Sequence, residues 1–426
     1  MMTERQRCWT PKALPMDSGS FFTGERGFRL FTDVADFVES KVKEHKSRIF
    51  QTRVLLKPTA IVVSNSAVAA LLFDDGSEYE LGYDDYFKRL FGDTLFLVEG
   101  PEAKLLRESL RPLFAESMLQ SYQVELRERM RRPLADLAKC PRVNVYKYFK
   151  AQSMALCLDV FLGSSPNGAS AQLKEEIAAL VSTHWHGVLS IPLDFKFPML
   201  MSSAYRKAVD AREKLVKLIL RRLRESDDGF LGCLKSTKMS EELQVQFLLL
   251  AVSALIPKAF ASLMTSFFCS SEHWQPLVDD DGIISDENLS NVLLEVLRLY
   301  PPFMGGRRVA KRDTVLDTYL IPRGTPLVYI NMGAHTDPAV FPDPHCFRPF
   351  RWKHENSGDQ RKLFTFGGGA RTCIGYKLIF SGWKMICRIL ISEFTWEVDR
   401  ASADVKLKYL PVLRPKDPLY VKFRPR

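Results

Sequence analysis

Cys373 stands in the run Phe366-Gly367-Gly368-Gly369-Ala370-Arg371-Thr372-Cys373-Ile374-Gly375, the segment of this chain richest in chemistry. A glycine has no Cβ, so its backbone can turn tightly and lie flat against a planar macrocycle, and Gly369 and Gly375 are placed to do this. Backbone N–H groups after such a bulge can point at a sulfur and stabilise its negative charge. Arg371, two residues before the sulfur, suits a macrocycle carboxylate, and Phe366 a place beside the ring. The run therefore reads as a thiolate ligand to haem iron, a ligand that favours O–O bond cleavage. The plain alternative is a glycine-rich turn leading into a helix that carries a small buried cysteine.

The pattern Phe-x-x-Gly-x-Arg-x-Cys-x-Gly resembles the signature of the cytochrome P-450 family, and three upstream segments fit the same resemblance in order. Glu295-Val296-Leu297-Arg298 resembles the family's Glu-x-x-Arg, whose two charged residues share a helix face. Phe347-Arg348-Pro349-Phe350-Arg351-Trp352 resembles the segment that supplies a third member, Arg351. The resemblance implies a buried triad of Glu295, Arg298 and Arg351 that specifies the fold and does not act on substrate. Between them, Gly305-Gly306-Arg307-Arg308-Val309-Ala310 follows Pro301-Pro302 and leads to the turn signal of Tyr319 to Gly324. The family places a propionate-binding arginine here. The step from Arg308 to Asp313 matches the family's spacing and favours Arg308 over Arg307. Arg107, in the helical stretch Glu102 to Phe114, is a further propionate candidate, against a plain reading as a solvated helix face.

The distal helix departs from the family. There an acid–alcohol pair relays protons to bound peroxide; the matching run here is Ala251-Val252-Ser253-Ala254-Leu255-Ile256-Pro257-Lys258. Ala254 takes the place of the acid, and Leu255 and Ile256 the places of the alcohol. Methyl groups relay no protons. Ser253, or carbonyls freed where Pro257 kinks the helix, would have to order water instead. Lys258 is read as a helix residue extending to solvent, or as a group serving the site.

Three functions fit. The resemblance implies a haem-thiolate monooxygenase, an oxidoreductase that inserts one atom of dioxygen into an apolar isoprenoid, retinoid or sterol, with electrons from NADPH through a reductase or ferredoxin partner. The missing pair leaves open an isomerase or dehydratase that rearranges a lipid peroxide without external electrons. It also leaves open a degenerate haem or lipid binder. The cofactor implied is haem b held by the Cys373 thiolate.

The supporting elements agree. The 426-residue chain shows no Pro-, Gly- or Ser-rich linker, no repeat, and 46% hydrophobic residues. The resemblance implies a mainly α fold with small β-sheets, the haem lying between the long distal helix and the cysteine loop, in one domain over 21–426. Helical stretches are expected at Ser64 to Phe73, Gln120 to Leu137, Tyr146 to Phe161, Ala204 to Arg224, Glu241 to Phe268, Glu287 to Tyr300 and Ile374 to Glu393. A hairpin is expected over Val54 to Val63, and strands over Phe394 to Phe423.

Eight cysteines without paired short spacings suggest neither a zinc site nor a secreted disulfide framework, which suits a reducing compartment; Cys387 reads as core. The net charge of +10 is spread along the chain, so nucleic-acid binding is not expected. The resemblance gives the charge another use, docking an acidic electron-transfer partner through Lys104, Arg107, Arg111, Lys377 and Lys384. Residues 1–20 are polar, with Pro11 and Pro15 resembling a post-anchor hinge and no membrane span before them. The apolar loop Leu189 to Leu200 offers a peripheral membrane contact. An intracellular location is expected, at the endoplasmic-reticulum surface or in the cytoplasm. The Ile191-Pro192-Leu193-Asp194-Phe195 pattern and the Gly305 run resemble the clan of retinoic-acid hydroxylases, cyanobacterial relatives and plant steroid hydroxylases.

Overall fold

The computed structural model describes residues 11–17, 25–54, 57–83, 85–163, 171–188, 203–253, 255–353, 360–400, 404–410 and 412–426. The molecule is 58% helical with small sheets, as expected. Its helices are α1 (Glu25–Thr32), α2 (Val34–His45), α3 (Asn65–Phe73), α4 (Asp85–Phe91), α5 (Gly100–Leu110), α6 (Glu116–Ala135), α7 (Val145–Leu162) and α8 (Ala171–Val188). They continue with α9 (Ala204–Glu225), α10 (Gly229–Lys235), α11 (Glu241–Val252), α12 (Leu255–Cys269), α13 (Ser271–Trp274), α14 (Asp286–Leu299), α15 (Asn331–His335) and α16 (Tyr376–Glu393). The chain divides into two compact units, one of residues 1–82, 305–344 and 368–371, the other of residues 83–304, 345–367 and 372–426.

The first unit is built on a five-stranded sheet. Strands β1 (Ile49–Val54) and β2 (Lys57–Val62) form an antiparallel hairpin whose first strand lies upstream of the alternating run Val54 to Val63. The sheet also takes in β3 (Tyr79–Leu81), β5 (Gly305–Ala310) and β8 (Pro326–Ile330), in the order β1-β2-β8-β5-β3. Residues 11–17 run alongside: the Gln51 N–H donates to Pro15 and the Asp17 N–H to the Gln51 carbonyl. The buried Lys41 ammonium is neutralised by Asp17 and Glu44, since an uncompensated buried charge would be costly. Ser64 caps α3 by accepting from the Ala67 N–H, satisfying one of the helix's orphan donors.

In the second unit an apolar core runs from Leu90 and Phe91 through Phe161, Tyr205, Phe230 and Phe247 to Leu378 and Val412. Burial on this scale, at roughly 25 cal/mol per Å² of apolar surface, is what offsets the entropy of ordering the helices. The C-terminal strand β12 (Tyr420–Pro425) lies between β9 (Phe394–Val398) and β4 (Val143–Asn144) and pairs with both, while β10 (Leu407–Lys408) pairs with β11 (Arg414–Pro415).

The long helix expected over Glu241 to Phe268 is two helices, α11 and α12, and this corrects the reading of a single kinked rod. Ser253 takes φ −57°, ψ 159°, an extended conformation that ends α11. The cause lies one turn on. Pro257 cannot donate to the Ser253 carbonyl, and its ring would collide with that carbonyl if the helix continued. The stretch Glu241–Cys269 is long and apolar enough to cross a membrane, yet 75% of its most apolar window is buried inside the structure. Ala254, Cys8 and the loop Leu189 to Leu200 lie outside the described residues.

Candidate functional site

The second unit holds Cys373 in a loop closed by two backbone bonds. The Cys373 N–H donates to the Phe366 carbonyl at 2.8 Å, and the Gly367 N–H to the Phe364 carbonyl at 2.9 Å. Gly367 has φ +75°, a left-handed turn that a glycine makes without penalty, and it was not singled out in the sequence because three glycines stand there together. Gly375 has φ −85°, so its part is proximity: a Cβ placed there would lie 3.9 Å from the Cys373 sulfur. Phe366 packs its ring 4.9 Å from that of Tyr376 at the start of α16.

Cys373 is exposed, although neighbouring protein desolvates its thiol. Burial pushes its thiol up, while the Gly375 N–H and the Arg107 charge act in the opposite sense. Both are devices that favour a thiolate. Arg107 donates to the Thr372 carbonyl at 2.8 Å, so it is a support of this loop more than a solvated face. Burial lowers the Arg107 guanidinium and Cys373 raises it in return. Cys387 is fully buried, as read from the sequence.

In the same unit, Glu295 and Arg298 of α14 are completely buried. The carboxylate receives Arg298 at 2.7 and 3.0 Å, Arg351 at 3.1 Å, the Arg348 N–H at 2.8 Å and the Trp352 indole N–H at 2.9 Å. Glu295, Arg298 and Arg351 are therefore one cluster. Trp352 is a further member that the sequence did not single out, although it closes the same Phe-Arg-Pro-Phe-Arg-Trp run. In the same unit Ser253 is buried and donates its hydroxyl to the Leu250 carbonyl at 2.7 Å, and Ile256 packs against the core. Ile256 offers no proton.

In the first unit, Gly369 has φ +59°, and a Cβ there would come within 2.5 Å of the Leu72 carbonyl oxygen of α3. Arg308 is 8% exposed, donates to the Arg307 carbonyl at 2.8 Å and stands 5.6 Å from the Tyr329 ring centroid. Arg308 and Arg371 both lower the Tyr329 phenol, against the larger effect of its burial. No carboxylate among the described residues is bonded to Arg308, an arrangement that fits an acidic group from outside the chain. Of the cations expected to dock a partner, Lys384 is bound to Asp286 at 2.5 Å and Lys377 lies 3.7 Å from Glu116, while Lys104 and Arg111 are exposed.

Residues 287–423 match the family model described as cytochrome P450. Cytochrome P450 26B1 of Danio rerio is 28% identical over 96% of this chain and 87% of its own length. Cytochrome P450 87A3 of Oryza sativa is 22% identical over 85% of this chain and 76% of its own. Among solved structures, the retinoic-acid-bound cyanobacterial CYP120A1 superposes with a TM-score of 0.82 at 23% identity, over 98% of this chain and all of that one. The P450DA heme domain superposes at 0.80 with 17% identity, over 98% of both chains. A matched signature over the C-terminal third and relatives aligned along nearly the whole sequence make this chain similar to cytochromes P450, whose fold it shares.

Proposed function

We propose that the chain is a haem-thiolate monooxygenase that inserts one atom of dioxygen into an apolar, lipid-like substrate of the isoprenoid, retinoid or sterol class. The observation that carries this reading is the Cys373 loop, whose sulfur has a backbone N–H and a nearby guanidinium that favour its negative charge. Bound there, haem b would supply dioxygen activation. Cys373 would hold it through the thiolate, Gly367 and Gly375 would keep the loop close to it, and Phe366 would pack beside it. Arg107, Arg308 and Arg371 would take its propionates; Arg308 is buried and bonded to no carboxylate among the described residues. The Glu295–Arg298–Arg351 cluster would hold the loop's support in place. A retinoid is the substrate class best supported, because the solved structure CYP120A1 is of a retinoic-acid-bound protein.

Protons would reach the site without an acid–alcohol pair. The break at Ser253 would free helix carbonyl groups to order water, beside the buried Ser253 hydroxyl. Electrons would come from NADPH through a reductase or ferredoxin, with Lys104 and Arg111 as the docking cations still exposed. The proposed location is intracellular, at the endoplasmic-reticulum surface or in the cytoplasm. The same break supports a second reading, an isomerase or dehydratase acting on a lipid peroxide, for which no external proton or electron is required.

The test is product formation from retinoids, sterols and fatty-acid hydroperoxides under labelled dioxygen, with and without NADPH and a reductase. Labelled product that needs NADPH establishes the monooxygenase. Unlabelled product from hydroperoxides alone establishes the rearrangement and removes the first reading.

A further inference from the structure

Apart from the Cys373 loop, the second unit brings together three cations for which the described residues supply no carboxylate partner. Lys150 on α7, Lys258 on α12 and Arg414 on β11 are all partly buried, and the charges of Lys150 and Arg414 both act on Lys258. The Lys258 ammonium lies 4.9 Å from the ring centroid of Trp185 on α8, and the Arg414 guanidinium 5.9 Å from that of Tyr146 on α7. α7 and α12 are fastened to each other, the Ser153 hydroxyl donating to the Pro257 carbonyl at 3.2 Å, so Lys150 and Lys258 are carried on elements that do not part freely.

Donors without acceptors accumulate at the same corner. Trp185 is 3% exposed and its indole N–H has no partner among the described residues. The Tyr146 hydroxyl faces Arg414 and has no acceptor for its own proton. Burial and the two neighbouring cations bring the Lys258 ammonium down to about 7. A rim of N–H, O–H and cationic groups with no acid calls for an oxyanion with more than one negative charge, since a single charge would leave most of the repulsion in place. The planar fork of arginine suits two oxygens of such a group, and each lysine suits a third.

We propose that Lys150, Lys258, Arg414 and Tyr146 form an oxyanion site for a phosphate-class dianion, free or carried at the head of a larger ligand. The site is independent of the haem reading, because none of its residues belongs to the Cys373 loop or to the Glu295 cluster.

Calorimetric titration of the full chain with inorganic phosphate, against sodium chloride at equal ionic strength, tests it. Saturable phosphate binding is expected, weakened about tenfold by Lys258→Met and by Lys150→Met and largely retained in Lys258→Arg. Competition by phosphatidylcholine vesicles containing phosphatidate assigns the anion to a lipid headgroup; vesicles that do not compete assign it to a soluble phosphate. Circular dichroism melting identifies any variant that fails to fold, in which case Arg414→Gln on the separate strand takes its place. The proposal is overturned if neither phosphate nor the vesicles binds saturably, or if binding is equal in the wild type and the folded methionine variants.

Discussion

At the scale of single residues, Glu295 and Cys373 make opposite demands. Glu295 is a buried carboxylate around which two guanidinium groups, a backbone N–H and an indole N–H are gathered. Removing its charge leaves Arg298 buried and uncompensated. Glu295→Gln is expected to cost about 3–5 kcal/mol of folding stability, read by urea unfolding, and Arg298→Met in the same background to recover part of that loss. A cost below about 1 kcal/mol would show that the cluster is not the support its geometry implies. Cys373 touches few such partners. Cys373→Ala is expected to leave the fold intact and abolish the thiolate absorption of the reduced carbon-monoxide complex, whereas Cys387→Ala, deep in the core, leaves that absorption unchanged. Retention of the thiolate band in Cys373→Ala would move the ligand elsewhere.

At the scale of elements, the glycine loop and the broken distal helix show what sequence can and cannot specify. Gly369 holds a left-handed backbone against the Leu72 carbonyl, so Gly369→Ala combines strain with a collision and is expected to cost about 1–3 kcal/mol in thermal unfolding. That requirement was legible, because three glycines before a cysteine have few other uses. The helices of α7, α9, α14 and α16 were legible within a residue or two, since their apolar periodicity is long and their ends are marked by residues such as Asn144, Ser203 and Ser285. The Glu295 cluster was legible only through the family pattern, as Glu-x-x-Arg alone is common on exposed helices. What escaped was the extent of the break at Ser253. A proline in an apolar run announces disturbance, but whether the helix bends or parts depends on what satisfies the freed carbonyl groups, which is a matter of packing. Pro257→Ala restores the missing donor, and slower hydrogen exchange across 250–260 is the expected result. Unchanged exchange would place the cause of the break outside Pro257.

At the scale of the whole molecule, buried titratable groups set the pH range in which the fold is most stable. His184 is fully buried, with Nε2 2.8 Å from the Leu90 carbonyl, and burial brings it from 6.5 to about 4. Lys258 is brought from 10.5 to about 7. In both windows the unfolded chain holds the additional proton, so stability rises with pH, first from 4 to 6.5 through His184 and then from 7 to 10.5 through Lys258. Above 10 the sign reverses: Tyr79 and Tyr300 are pushed by burial from 10.0 up to about 12, and their phenols ionise first in the unfolded chain. Maximal stability is therefore expected on the alkaline side of neutrality, short of the tyrosine limb. The acid limb can be isolated, because His184→Gln keeps a donor for the Leu90 carbonyl and removes the titration. Between pH 6.5 and 4 the wild type is expected to lose about 3 kcal/mol relative to His184→Gln in urea unfolding. Parallel pH profiles for the two proteins would show that His184 does not govern acid unfolding, and that the carboxylates of the surface ion pairs do.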